Sequence, residues 1–124
     1  MPFGNAVQSY FSSLDKRELS GVAALFDDDA QTTVIMPGGA LVVGYPAIMD
    51  LHREWFLDPD WSMEHELVSM REMGALGLVL AKVRYHDLNE RGEPYTISYY
   101  LHLTFCCRDG QWKVVHDQNT LLAQ

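Results

Sequence analysis

The sequence predicts an α+β domain, with helices first and then a long meander of strands. Three observations carry this. Apolar residues recur at helical spacing within residues 5–26 and again within 46–57. From Trp61 onward the pattern changes to long runs that alternate with period two. Between the last two runs stands Arg108-Asp109-Gly110, a tight hairpin turn. A sheet that follows helices in this way must curl over them to bury their apolar stripes.

The elements follow in chain order. Asn5 to Leu14 is a helix, with Val7, Tyr10, Phe11 and Leu14 on one stripe. Asp15 to Phe26 is a second, with Asp15 as its cap and Leu19, Val22, Ala23 and Phe26 facing inward. Asp27, Asp28 and Asp29 end it as a solvated acidic corner, since negative charge is unfavourable at a helix C-terminus. Gln31 to Met36 is a β-branched strand stopped by Pro37-Gly38-Gly39. Ala40 to Val43 is a short strand closed by Gly44. Pro46 suits the first turn of a third helix that runs to about Leu57, broken by Asp58-Pro59-Asp60. Long strands are then expected over Trp61–Met73, Gly77–Leu88, Tyr95–Cys107 and Gln111 to about Leu122.

Composition bounds the function. The 124 residues make one domain, 1–124, large enough to bury about two thirds of its surface without disulfide or metal staples. The residues are 48% hydrophobic and 21% charged, so the chain is not a disordered one. The formal net charge is -8, with only nine Lys and Arg, which argues against nucleic acid and anionic membranes as partners. The uncharged stretch from Ala30 to Met49 is broken by two prolines and three glycines, so it is not a membrane span. With no targeting signal at the start, the expected location is the cytoplasm. Cys106 and Cys107 are neighbours that point to opposite faces of a strand, and both are expected reduced. There is no HExxH, no closely spaced His pair, no phosphate loop at Gly38-Gly39 and no Ser-His-Asp signature, so neither metal nor cofactor is expected.

The order helix, helix, strand, short strand, helix, long strands resembles the nuclear transport factor 2-like superfamily. That superfamily holds the ketosteroid isomerases and the SnoaL-like polyketide cyclases. VQSYFSSLDKRELSGVAALFDDDA is similar to its opening and RDGQWKVVHDQNT to its closing hairpin, so the likeness covers almost the whole chain. It implies a cone-shaped, curved antiparallel sheet packed on about three helices, a pocket between them, and a homodimer through the sheet.

The resemblance also implies site residues. In the isomerases a first-helix tyrosine holds an oxyanion, and Tyr10 falls there. Their second donor, on the strand before the last hairpin, falls near His102 when counted back from Gly110. Their general base precedes a proline after the first long strand. Here that place holds Met36, and a thioether cannot take a proton from carbon. A supporting tyrosine falls near His52. Pocket-lining positions of the last strand fall near Val115 and Asn119, which would put Asp117 on the inward face between them. Tyr10 and His102 would then polarise a carbonyl while Asp117 moves the proton, in a cavity shaped by Met36, His52, Tyr85, Tyr100 and Asn119.

Two readings of the Tyr95–Cys107 strand compete. By pattern, its Tyr95, Ile97, Tyr99, Leu101, Leu103 and Phe105 face is the core, and His102 is wet. By resemblance, the His102 face lines the cavity and the apolar row meets a second subunit, an assignment that a β-bulge would shift by one residue. The expected function is binding of a small, mostly apolar organic molecule, with acid–base turnover of isomerase or cyclase type. The alternative is a non-catalytic dimerisation or accessory domain.

Overall fold

The computed structural model describes residues 1–123. Three helices, α1 (Phe3–Asp15), α2 (Leu19–Leu25) and α3 (Tyr45–Phe56), pack on six strands. The strands are β1 (Thr33–Ile35), β2 (Leu41–Val43), β3 (Ser62–Met73), β4 (Leu76–Leu88), β5 (Pro94–Arg108) and β6 (Gln111–Leu121). They form one sheet in the order β2-β1-β6-β5-β4-β3. All neighbours are antiparallel except β1 and β6, which run parallel. The architecture is the α+β arrangement of a curved sheet on three helices that the sequence predicts, with that one parallel pair added.

Each element follows its pattern. α1 buries Phe3, Ala6, Val7, Tyr10, Phe11 and Leu14, one stripe at helical spacing. Leu76–Leu88 buries Gly77, Val79, Ala81 and Val83 and exposes Lys82 and Arg84 between them. Gly77 is required by close approach, because a Cβ there would collide with the ring of Phe3. The β5–β6 hairpin turns through Asp109 at φ 53° and Gly110 at φ 75°, a two-residue turn in the left-handed region. Gly44, at φ 94°, precedes α3, whose Pro46 sits in the first turn.

Two local expectations are corrected. Asp15 ends α1 and does not cap α2, whose capping position is Glu18 with no side-chain bond. Asp27 is not part of a solvated corner: it is 6% exposed, and Arg108 Nη1 donates to its Oδ2 at 2.6 Å. The strand β5 decides the larger question. Tyr99, Leu101, Leu103 and Phe105 are buried beneath the helices, so the pattern reading holds. The row from Tyr99 to Phe105 is therefore core, while Tyr95 at its start is 39% exposed. Among the described residues no helix is long and apolar enough to cross a membrane.

Candidate active site

The inner face of the sheet does not close completely on the helices. A cavity of about 610 Å³ remains between α1, α3, the end of β1 and strands β3 to β6. Its deep wall carries Tyr10, Tyr99, Leu101 and Asp117, all buried. Met36, His52 and Asn119 flank them. The exposed and half-exposed lining residues, Glu54, Asp58, Tyr85, Asp87 and Tyr95, mark the mouth.

Asp117 is the chemical centre of the deep wall. Its side chain is 4% exposed. Tyr10 Oη donates to Asp117 Oδ2 at 3.1 Å, and Asn119 Nδ2 donates to Asp117 Oδ1 at 3.0 Å. Asn119 Nδ2 also reaches the carbonyl of Ile35 at 2.8 Å, which fixes the amide's orientation. Burial pushes the Asp117 carboxyl up to about 6, against the opposing pull of Tyr10, Asn119 and His116. A group so placed ionises close to neutrality, as proton-transfer chemistry requires. Burial first, and then the neighbouring Asp117 charge, hold the Tyr10 and Tyr99 hydroxyls in their neutral form. Tyr99 is 7% exposed and makes no hydrogen bond among the described residues, so its hydroxyl is a free donor on the cavity wall.

His52 is 3% exposed, and its Nδ1 lies 2.8 Å from the carbonyl of Ile48. That bond marks Nδ1 as the protonated nitrogen, and burial lowers the ring's affinity for a second proton. At the mouth, Trp55 Nε1 donates to Tyr85 Oη at 3.0 Å, and Tyr85 Oη donates to Asp87 Oδ2 at 2.9 Å. Trp55 stacks on Trp61 with ring centres 4.4 Å apart.

Tyr10, Asp117, Asn119, Met36, His52 and Tyr85 thus share one cavity. His102 and Tyr100 do not. Both lie on the outer face of the sheet, where Tyr100 is 38% exposed. The alternation of β5 puts them there, since Tyr99, Leu101, Leu103 and Phe105 face inward, and Asp117 parts from His102 because of a β-bulge at Val115. Thr104 pairs with His116, but the next pair toward the hairpin is Phe105 with Val114. Without the extra residue, Asp117 would stand opposite His102 and share its face. With it, Asp117 stands opposite Leu103, and His102 opposite Gln118. Val115 is likewise absent from the cavity wall. Sequence reasoning also missed Tyr99, Asp87 and Tyr95 as lining residues. A signal was present for each: Tyr95 and Tyr99 belong to the apolar face of β5, and Asp87 follows Tyr85 by one strand period.

Comparison with known proteins agrees with this fold. A ketosteroid isomerase-like protein from Erwinia carotovora atroseptica superposes with a TM-score of 0.80 at 15% identity, over 98% of this chain and 94% of that one. A nuclear transport factor 2-like superfamily protein from Salmonella enterica serovar Typhimurium gives 0.77 at 15% identity, over 97% and 88%. A protein with a cystatin-like fold from Caulobacter vibrioides gives 0.76 at 20% identity, over 97% and 87%. These likenesses establish the nuclear transport factor 2-like fold. No curated protein matches the sequence. The family model of the SnoaL-like domain matches residues 7–115, which includes Tyr10 and ends two residues before Asp117, and the chain belongs to that family.

Proposed function

We propose that the protein binds a small, mostly apolar organic molecule in this cavity and that Asp117 moves a proton on it. The observation that carries the reading is a carboxyl, 4% exposed, on the wall of a ligand-sized cavity and poised near neutral pH. Both bonds that Asp117 receives come from donors, which favours its ionised form and so its use as a base. The chemistry that fits is removal of a proton from carbon beside a carbonyl. The C–H bond breaks, its proton passes to Asp117, and its electron pair moves onto the carbonyl oxygen. Tyr99 is the donor free to meet that oxygen, since Tyr10 is committed to Asp117. Return of the proton to another carbon completes an isomerisation.

A second reading, a non-catalytic binding or accessory domain, draws on a specific observation. Each oxygen of Asp117 already accepts a bond from within the protein. Proton exchange separates the two readings. An apolar ketone such as 2-tetralone is incubated with the protein in D₂O near neutrality, and loss of the proton beside the carbonyl is followed by NMR. Asp117→Asn should slow the protein-dependent exchange by roughly 10²–10⁴-fold. Exchange equal in the two proteins, with binding of the ketone retained, would leave the accessory reading.

A further inference from the structure

We propose that the ligand of this cavity is an amphipathic monocation, an apolar body whose ammonium-type group sits at the mouth among Glu54, Asp58 and Asp87. The inference rests on the reading of the cavity as a small-molecule site and adds the class of molecule.

The cavity wall is electrostatically one-sided. Four carboxyl side chains line it, Glu54, Asp58, Asp87 and Asp117, and no Lys or Arg does. None of the four takes part in the ion pairs among the described residues, which join Arg53 to Asp50, His86 to Glu64 and Arg108 to Asp27. The one basic side chain on the wall, His52, is buried and held neutral. The chain as a whole carries a formal charge of -8, so the potential focused into this concave surface is negative. An anionic ligand would meet four carboxyl side chains there and no Lys or Arg.

The mouth is also built. Asp58 stands close enough to Asp87 that, after burial, its carboxyl is what holds the Asp87 proton more tightly. Two acids kept together without a cation are a standing repulsion that a bound positive group would relieve. Asp87 is held in place by Tyr85 Oη, which Trp55 Nε1 holds in turn. Trp55, Tyr85 and Tyr95 line the same opening with aromatic surface, the partner that a cation prefers. The stack that includes Trp55 already holds one cation: the Arg17 guanidinium lies 4.0 Å from the centre of the Trp61 ring, on which Trp55 stacks.

An independent observation places the other end. Tyr99 is 7% exposed as a residue, and its hydroxyl, which makes no hydrogen bond among the described residues, is open to the cavity on the deep wall beside Asp117. A donor in that position is satisfied by a ligand oxygen. The cavity thus selects a molecule with an acceptor at its deep end, an apolar middle against Leu101, Ile97 and Met63, and a positive charge at the mouth.

Three probes of one skeleton test this by calorimetry at pH 7.5: 4-phenylbutylamine, 4-phenylbutan-1-ol and 4-phenylbutyrate. The amine should bind about tenfold more tightly than the alcohol, and the carboxylate most weakly. Raising NaCl from about 50 to about 500 mM should weaken the amine and leave the alcohol unchanged. Asp58→Asn with Asp87→Asn should remove the amine's preference and retain the alcohol. Should that double variant not fold, Glu54→Gln and the salt series on the wild-type protein decide. Equal binding of amine and alcohol, or a preference that survives salt and substitution, would overturn the inference alone. Failure of all three probes to bind would overturn it together with the small-molecule reading.

Discussion

The Tyr10 hydroxyl donates to Asp117 Oδ2 at 3.1 Å, joining the first helix to the last strand across 107 positions of sequence. The bond ties the helical layer to the sheet at the deepest point of the cavity. It also favours the charged carboxylate, since Tyr10 is the largest influence that opposes burial at Asp117. Tyr10→Phe keeps the ring and removes the donor. The Asp117 titration midpoint should rise from about 6, read from its side-chain carboxyl carbon by NMR. A hydrogen bond to a charged group is worth roughly 1.5–3 kcal/mol, so stability near neutrality should fall by about that much. An unmoved midpoint would mean that the bond does not form.

Asp117 itself should destabilise the fold at neutral pH. A carboxyl near 3.8 in the unfolded chain and about 6 in the fold binds more protons when folded. Stability from this group is therefore greatest below about pH 4 and is lost as pH rises through 6. About two pH units of displacement correspond to about 3 kcal/mol. Asp117→Asn has no charge to bury. Urea unfolding should show the variant gaining on the wild type by about that amount between pH 4 and pH 8. A constant difference across this range would show that Asp117 is not buried in its charged form.

The inward face of β4 offers a packing test. Val83 is fully buried opposite His65, in the core beneath α1. Val83→Asp loses the burial of an apolar side chain, roughly 1.5–3 kcal/mol, and buries an unpaired acid as well. A thermal melt should drop by more than ten degrees or the fold should be lost, at roughly 4 kcal/mol or more. A melt within a degree of wild type would contradict the face assignment.

Most of the layer order was legible because period decides it. The stripe Phe3, Val7, Tyr10, Phe11 and Leu14 can only be a helix face, and Val79, Ala81 and Val83 can only be an inward strand face. Tyr10 and Asp117 were legible as residues of one cavity through the family resemblance, where they were grouped with His102, and their direct bond was not. The partner of Asp27 was not, because three consecutive aspartates look alike and Arg108 lies 81 positions away. The bulge was hidden for a similar reason. Nothing in Trp112-Lys113-Val114-Val115-His116 marks an extra residue, since no glycine or turn residue signals it. One uncounted position was enough to exchange Leu103 for His102 opposite Asp117.

The homodimer expected through the sheet now requires a different face. The apolar row of β5 is spent on the core, which leaves the outer face, where Leu76, Leu78 and Leu80 lie beside Cys106, Thr104 and His102. Leu76 is 45% exposed and Tyr100 38%. Three leucines in a row on the outer face of a curved sheet, beside Cys106, Thr104 and His102, suit a self-complementary, two-fold contact. We propose that a second copy covers them. Sedimentation at micromolar concentration should give twice the 14.1 kDa of one chain. Leu80→Asp, in the half-buried part of that row, should return a folded monomer. Its cavity should still bind 4-phenylbutan-1-ol, because His102 and Leu80 lie on the face opposite Asp117. A wild-type protein that sediments as a single chain would overturn the dimer. Loss of alcohol binding in the folded monomer would mean that the two faces of the sheet are not independent.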